Sequence, residues 1–216
     1  MQVLRSPANQ WRGVVRSITI AAALLLGGSL LYSAQAGAPL KTGQPAPAFS
    51  GTSAAGAKIS LSDYYGKTVV LEWTNHQCPY VRKHYSTNKM QSVQKQATTG
   101  GVVWLSIVSS APGREGYVEP SQAGQLTRDR GAAPTVVALD ASGEIGRLYN
   151  ARVTPHMFVI DGSGRLVCMG GIDDRPSARP SDIDGATNYV LAALADVEAG
   201  RAVVTRPYGC SVKYGS

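Results

Sequence analysis

Two apolar runs rich in β-branched residues, Thr68–Trp73 and Val102–Ser109, limit what this chain can fold into more than any other feature. Each is long enough and apolar enough to read as a buried strand. Between them, Pro79–Ala97 carries Val81, Tyr85, Met90, Val93 and Ala97 at spacings of three to five. That periodicity predicts one helix, ended by Gly100-Gly101. Gly37–Ser50, rich in Pro, Gly and Ala, reads as an extended lead-in, Ala57–Leu61 as a short strand and Ser62–Tyr65 as a helical turn. Beyond the loop Ala111–Glu119, the pattern predicts a helix at Ser121–Arg130, a strand at Thr135–Leu139 and a short helix at Gly143–Asn150. Met157–Ile160 and Arg165–Met169 are strands joined by Asp161-Gly162-Ser163-Gly164, a hairpin signal. A polar segment, Ile172–Asp182, leads to a last helix over Ala186–Glu198, capped by Asp184 and stopped by Gly200. The order β-α-β-α-β-α-β-β-α predicts an α/β fold with a central mixed sheet and helices on both faces.

The N-terminus is set apart from this pattern. Arg5, Arg12 and Arg16 precede an apolar run, Ile18–Leu31, and Ala34-Gln35-Ala36 supplies the small residues of a cleavage site before Gly37. This predicts a secretory signal peptide over 1–36, a domain over 37–200 and a tail over 201–216. The rival reading is an uncleaved anchor, but the run is shorter than the ~20 residues of a span. Either way the domain is expected in the periplasm or secreted, with a membrane as partner only if the segment is retained. Without the leader, 18 basic residues face 14 acidic ones, leaving net +4 of the whole chain's +7. These charges are scattered, with no basic stripe and no aromatic platform, which speaks against a nucleic-acid role.

Of the cysteines Cys78, Cys168 and Cys210, Cys78 has the most telling neighbours. It follows a buried strand and the short loop Thr74-Asn75-His76-Gln77, and Pro79 comes next. Proline favours the first helical position, so Cys78 is expected at or beside the N-cap. There the unpaired amides and the positive end of the helix dipole stabilise an anion. A thiolate so placed is stabilised, and the thiolate is the nucleophile. The plainer alternative is a buried structural cysteine.

Strand, loop and Cys78-Pro79 at a helix start, with Val153-Thr154-Pro155 just ahead of a later strand, resemble the thioredoxin superfamily. Leu71–Tyr85 resembles in particular its peroxiredoxin-like branch (redoxin, AhpC/TSA type), and the likeness covers about 43–198. The resemblance implies a thioredoxin-like fold in which Pro155 is cis and lies against Cys78. It implies that Thr154, Pro155, Thr74 and Pro79 shape a substrate groove. It also implies that Glu72, six residues before Cys78, is a buried acid that relays protons; the alternative places Glu72 at an exposed strand end. Departures are explicit. Val81 stands where thioredoxins have their second cysteine, which excludes a Cys-x-x-Cys disulfide. Asn75 and Leu71 stand where peroxiredoxins keep Thr or Ser and Pro, and their arginine aligns near Pro155.

Cys210 lies in an aromatic, glycine-containing segment, Arg206–Tyr214, that is odd for a free tail. One reading folds it back so that Cys210 resolves an oxidised Cys78; the other leaves a free or intermolecular thiol. Cys168, inside a strand, reads as a packing residue. His76, His84 and His156 all fall near the site by fold logic. They open an alternative in which Cys78 with His76 or His156 carries copper(I) or zinc, although His84 and His156 otherwise read as surface residues. A third alternative is a binding module without turnover. The leading expectation is a thiol-dependent oxidoreductase in which Cys78 acts on a disulfide or a peroxide, with Cys210 or an external thiol reductant closing the cycle. No organic cofactor is expected, because no phosphate-cradling glycine loop is present.

Overall fold

The computed structural model describes residues 40–197 and 202–215. The leader and its cleavage site, and the expected end of the last helix at Glu198 and Gly200, lie outside the described residues. Among the described residues no helix is long and apolar enough to cross a membrane.

The sheet is built from β1 (Ser50–Ser53), β2 (Lys58–Ser60), β3 (Val69–Trp73), β4 (Val103–Val108), β5 (Val136–Leu139), β7 (His156–Ile160), β8 (Leu166–Gly170) and β9 (Val203–Val204). Their order is β2-β1-β5-β4-β3-β7-β8-β9. A separate two-stranded ladder pairs β6 (Val153–Thr154) with β10 (Cys210–Ser211). The pairs β3–β4, β4–β5 and β8–β9 are parallel and the remainder antiparallel, so the sheet is mixed as expected.

Strand β3 explains why the sequence shows no alternation there: all five of its residues are buried. Val69, Leu71 and Trp73 enter one core with Phe49, Tyr149 and Phe158, while Val70 enters the other with Val81, Trp104 and Met157. A sheet covered on both faces needs apolar residues at every position of its central strands. Helices α1 (Pro79–Ser86), α2 (Lys89–Thr99), α3 (Pro120–Asp129) and α5 (Tyr189–Asp196) cover the second face, and α4 (Glu144–Leu148) covers the first. Each fully buried Leu, Ile or Phe side chain contributes about 1.5–3 kcal/mol. The aromatic group on the first face adds close ring contacts, with Trp73 5.1 Å from Phe158 and 5.5 Å from Tyr149.

Four expectations need correction. The single helix over Pro79–Ala97 is two helices, because Asn88 takes a left-handed conformation (φ 56°). Asn tolerates that region, and Thr87 Oγ1 and Gln91 Nε2 satisfy the carbonyls of Lys83 and Tyr85, each at 2.9 Å, where the first helix ends. The last helix starts at Tyr189 rather than Ala186, since Asn188, not Asp184, caps it by accepting from Leu191 N–H at 2.9 Å. The lead-in ends in a strand, β1, that extends beyond Ser50 and pairs with β2 and β5. The aperiodic tail supplies β9 and β10, strands of two residues each, too short to show a period.

Candidate active site

The site grows from the end of β3. After Trp73 the chain turns through Asn75, whose Oδ1 accepts the Gln77 N–H at 2.8 Å. This Asx turn delivers Cys78 to the N-cap of α1, with Pro79 at the first helical position. Asn75 Nδ2 and Gln77 Oε1 tie this loop to the segment Glu115–Gly116, at 3.2 and 3.0 Å. Cys78 is fully buried. Its thiol makes no hydrogen bond to the first amides of α1; it lies 3.2 Å from the Thr154 carbonyl oxygen, which accepts its S–H. The Thr154–Pro155 peptide bond is cis.

Residues 202–215 form a strap over this centre. Cys210 pairs with Thr154 and Ser211 with Val153, which brings the Cys210 sulfur to 2.7 Å from that of Cys78. The two remain free thiols; a disulfide would hold them at about 2.05 Å. Burial and then the neighbouring Cys78 sulfur push the Cys210 thiol up to about 12. Gly209 makes the approach possible: its φ of 143° and its position against the Thr154 carbonyl leave no room for a Cβ. Beyond Cys210 the strap is held by Val212 N–H to the Arg152 carbonyl (3.0 Å), Lys213 O accepting from Ala111 N–H (2.9 Å) and the Tyr214 hydroxyl to the Ala151 carbonyl (2.6 Å). The Tyr214 ring fits over Gly143 and Gly146, under the Arg147 guanidinium at 4.8 Å.

Ahead of Cys210, the Tyr208 hydroxyl donates a hydrogen bond to Asp173. Asp173 is buried, as are Lys83 and His84 from α1. Lys83 Nζ reaches Asp173 at 3.5 Å, donates to the Arg175 carbonyl at 2.8 Å and lies 5.7 Å from the centre of the Tyr208 ring. Burial, then the hydrogen bond to Asp173, raises the Tyr208 hydroxyl far above the ordinary tyrosine value.

Glu72 is completely buried, which excludes the exposed strand end. Its Oε1 accepts from the Tyr85 hydroxyl at 2.9 Å, and its Oε2 from Trp104 Nε1 (2.8 Å), Ser106 Oγ (2.9 Å) and Gln94 Nε2 (3.0 Å). Beside this group lies a cavity of about 20 Å³, lined by Thr74, His76, Tyr85, Ser106 and Arg130 among others; neither Cys78 nor Cys210 borders it. The hydroxyls of Thr74 and Thr154 are buried without a hydrogen-bond partner in the protein.

The histidines separate. His84 and His156 are buried, which corrects their reading as surface residues. Burial first, with Lys83 and Lys89 adding to it against the opposing pull of Asp173, lowers His84 to about 4. Burial and then Arg152 lower His156 to about 3, and its Nδ1 accepts weakly from Arg152 N–H at 3.4 Å. His76 is lowered by partial burial and then by Arg130. Among the described residues no three His, Cys, Asp or Glu side chains gather as a metal site. Cys168 is fully buried in β8, and burial raises its thiol to about 12.

Sequence reasoning missed Lys83, Asp173, Tyr208 and Tyr214. Only the density of tyrosine in the tail hinted at the last two, and nothing local marks a lysine in a helix as buried.

Solved structures with this fold come from several bacteria. A hypothetical protein of Sinorhizobium meliloti 1021 superposes with a TM-score of 0.69 at 22% identity, covering 82% of this chain and 96% of its own. An uncharacterized conserved protein of Geobacillus kaustophilus gives 0.68 at 23%, covering 81% and 93%. A Chlorobium tepidum protein named as the thiol:disulfide interchange protein DsbE gives 0.53 at 23%, covering 74% and 98%. At these identities the likeness is one of fold. Among curated protein sequences none matches. The sequence pattern of the AhpC/TSA family matches residues 42–169, more than half of the chain and all of β1 through β7 and most of β8. With the thioredoxin-like sheet and the cysteine at the head of α1, the chain belongs to the AhpC/TSA family, in the redoxin branch of the thioredoxin superfamily.

Proposed function

We propose that this protein is an exported thiol oxidoreductase that cycles through a Cys78–Cys210 disulfide. The observation that carries the reading is the 2.7 Å approach of the two sulfurs, one at a helix N-cap and the other on a strap hydrogen-bonded across it. Cys78, at the N-cap of α1, is the attacking sulfur. On a disulfide, the Cys78 thiolate attacks one sulfur, forms a mixed disulfide and expels the other as a thiolate. Cys210 then loses its proton and attacks Cys78, releasing the second substrate thiol and closing the Cys78–Cys210 bond. On a peroxide, Cys78 takes the terminal oxygen as a sulfenic acid, the alcohol or water leaves, and Cys210 condenses with it, releasing water. Both routes end at the same disulfide, which an external thiol reductant opens with two electrons.

Thr154 contributes its carbonyl to the thiol, and Pro155, Pro79 and Thr74 frame the approach. The unpartnered hydroxyls of Thr74 and Thr154 are free to bond an incoming polar group, which a buried hydroxyl otherwise forgoes at about 1–3 kcal/mol. Export follows from the leader read in the sequence and places the protein where disulfide exchange is productive.

Turnover assays on a protein disulfide and on hydrogen peroxide, each with a thiol reductant, test this. Cys78→Ser abolishes turnover, and Cys210→Ser lowers it while trapping Cys78 as a mixed disulfide or a sulfenic acid. The substrate that leaves Cys78 modified in the Cys210 variant is the substrate class. Full activity in Cys78→Ser sinks the reading.

A further inference from the structure

Cys78 is fully buried, and the strap lies against it through the Cys210 sulfur at 2.7 Å. Any substrate larger than a few atoms therefore reaches the sulfur only when the strap lifts, and resolution requires the strap to return. What sets the position of Cys210 thus governs both steps.

We infer that Tyr208, Asp173 and Lys83 form a latch that positions Cys210 over Cys78; this rests on the two-cysteine reading above. Three separate parts of the chain meet there. Lys83 belongs to α1, the helix that begins at Cys78; Asp173 and Arg175 belong to the loop after β8; Tyr208 belongs to the strap, with only Gly209 between it and Cys210. Asp173 accepts from Tyr208 and, at 2.9 Å, from Arg175 N–H, and faces Lys83. The Tyr208 ring also packs edge-on against Tyr80, 5.9 Å between centres.

The energetics favour closure. A buried Lys–Asp pair is costly unless further hydrogen bonds complete it, and here the strap supplies one of them together with the ring that covers the ammonium. Lifting the strap leaves Asp173 short of a donor and uncovers Lys83, so the pair draws the strap down. Cys210 is then held at its post before the disulfide forms, and the ordering cost of bond formation is largely already met. Loosening the latch lowers the fraction of reduced molecules competent to close, and the apparent constant falls by that fraction.

The test uses the reduced mature chain and Tyr208→Phe, which keeps the ring on Tyr80 and beneath Lys83 and removes only the hydroxyl. Alkylation by iodoacetamide is followed by peptide mass at Cys78 and at Cys168, a fully buried thiol that reports general unfolding. In parallel, each protein is equilibrated with glutathione, in which Cys78–SH, Cys210–SH and one oxidised glutathione give the Cys78–Cys210 disulfide and two reduced glutathiones. Tyr208→Phe is expected to speed alkylation of Cys78 about tenfold, the scale of a lost hydrogen bond to a charged acceptor. Cys168 stays unchanged, and the glutathione constant, which follows the closed fraction, changes far less than the alkylation rate. An unchanged Cys78 rate, or equal acceleration at Cys78 and Cys168, overturns the latch and leaves Tyr208 a stabilising contact. If the wild type forms no Cys78–Cys210 disulfide at any glutathione ratio, the two-cysteine function falls, while the alkylation rates still decide the latch.

Discussion

Glu72 accepts four hydrogen bonds from neutral donors and none of them comes from Cys78. Burying a carboxylate is expensive, and donors aimed at its oxygens offset that cost. The arrangement joins α1 through Tyr85, α2 through Gln94 and β4 through Trp104 and Ser106, so Glu72 is a joint between the sheet and its helices. Three of the donors converge on one oxygen, and the fourth is a hydroxyl that rotates. Glu72→Gln is therefore expected to cost less than about 1 kcal/mol, with Tyr85 turning to accept, whereas Glu72→Leu strands four buried donors and costs at least about 3 kcal/mol. Urea unfolding measures both. Turnover of the Gln variant separates joint from relay: a proton relay loses most of its rate, a joint keeps it. The burial of Glu72 was foreseeable from an acid inside Val69-Val70-Leu71; its partners were not, because they come from elements brought together only by the fold. The same is true of Lys83, Asp173 and Tyr208, which sit far apart along the chain.

At the level of elements, the strap depends on one residue without a side chain. Gly209 lies with φ 143° against the Thr154 carbonyl, where a Cβ would overlap backbone. Gly209→Ala is expected to unseat β10 while leaving the main sheet intact, since β10 pairs with β6 in a separate ladder. Cysteine alkylation at Cys78 then accelerates tenfold or more, and thermal unfolding falls by a few degrees; an unaltered alkylation rate contradicts the packing described here. Strand β3, helix α1 and the Asp161–Gly164 hairpin were legible because each carries a full period or a turn signal. The break at Asn88 was not, because Thr87 and Asn88 end a helix through side-chain and left-handed geometry that the apolar spacing runs straight across. Strands of two residues, β6, β9 and β10, have no period to read and exist only because a partner strand is present.

Across the whole molecule, buried neutral histidines couple stability to pH. In the unfolded chain His84 and His156 titrate near 6.5, but in the folded protein near 4 and 3. Between these values the unfolded state binds more protons, so stability rises with pH and is lost as pH falls below about 6.5. Around pH 5.5 the pair contributes a slope of roughly 2 kcal/mol per pH unit, above the range where carboxylates begin to titrate. Urea midpoints at about pH 7 and about pH 5 are expected to show this fall, and a His84→Gln/His156→Gln variant to flatten it; the same slope in both proteins contradicts the burial of the two rings. The fold class itself was readable from the order of elements, whereas the closing of the molecule by its own tail was not, since it depends on contacts between Cys210 and Thr154 and between Tyr214 and Ala151.

In the proposed cycle Cys78 and Cys210 act as one redox pair. Disulfide mapping by mass spectrometry of the non-reduced protein, after equilibration with oxidised glutathione, is the decisive measurement. The expected result is a Cys78–Cys210 linked peptide with Cys168 as a free thiol. Cys78 found bound to glutathione while Cys210 remains fully alkylatable would contradict it.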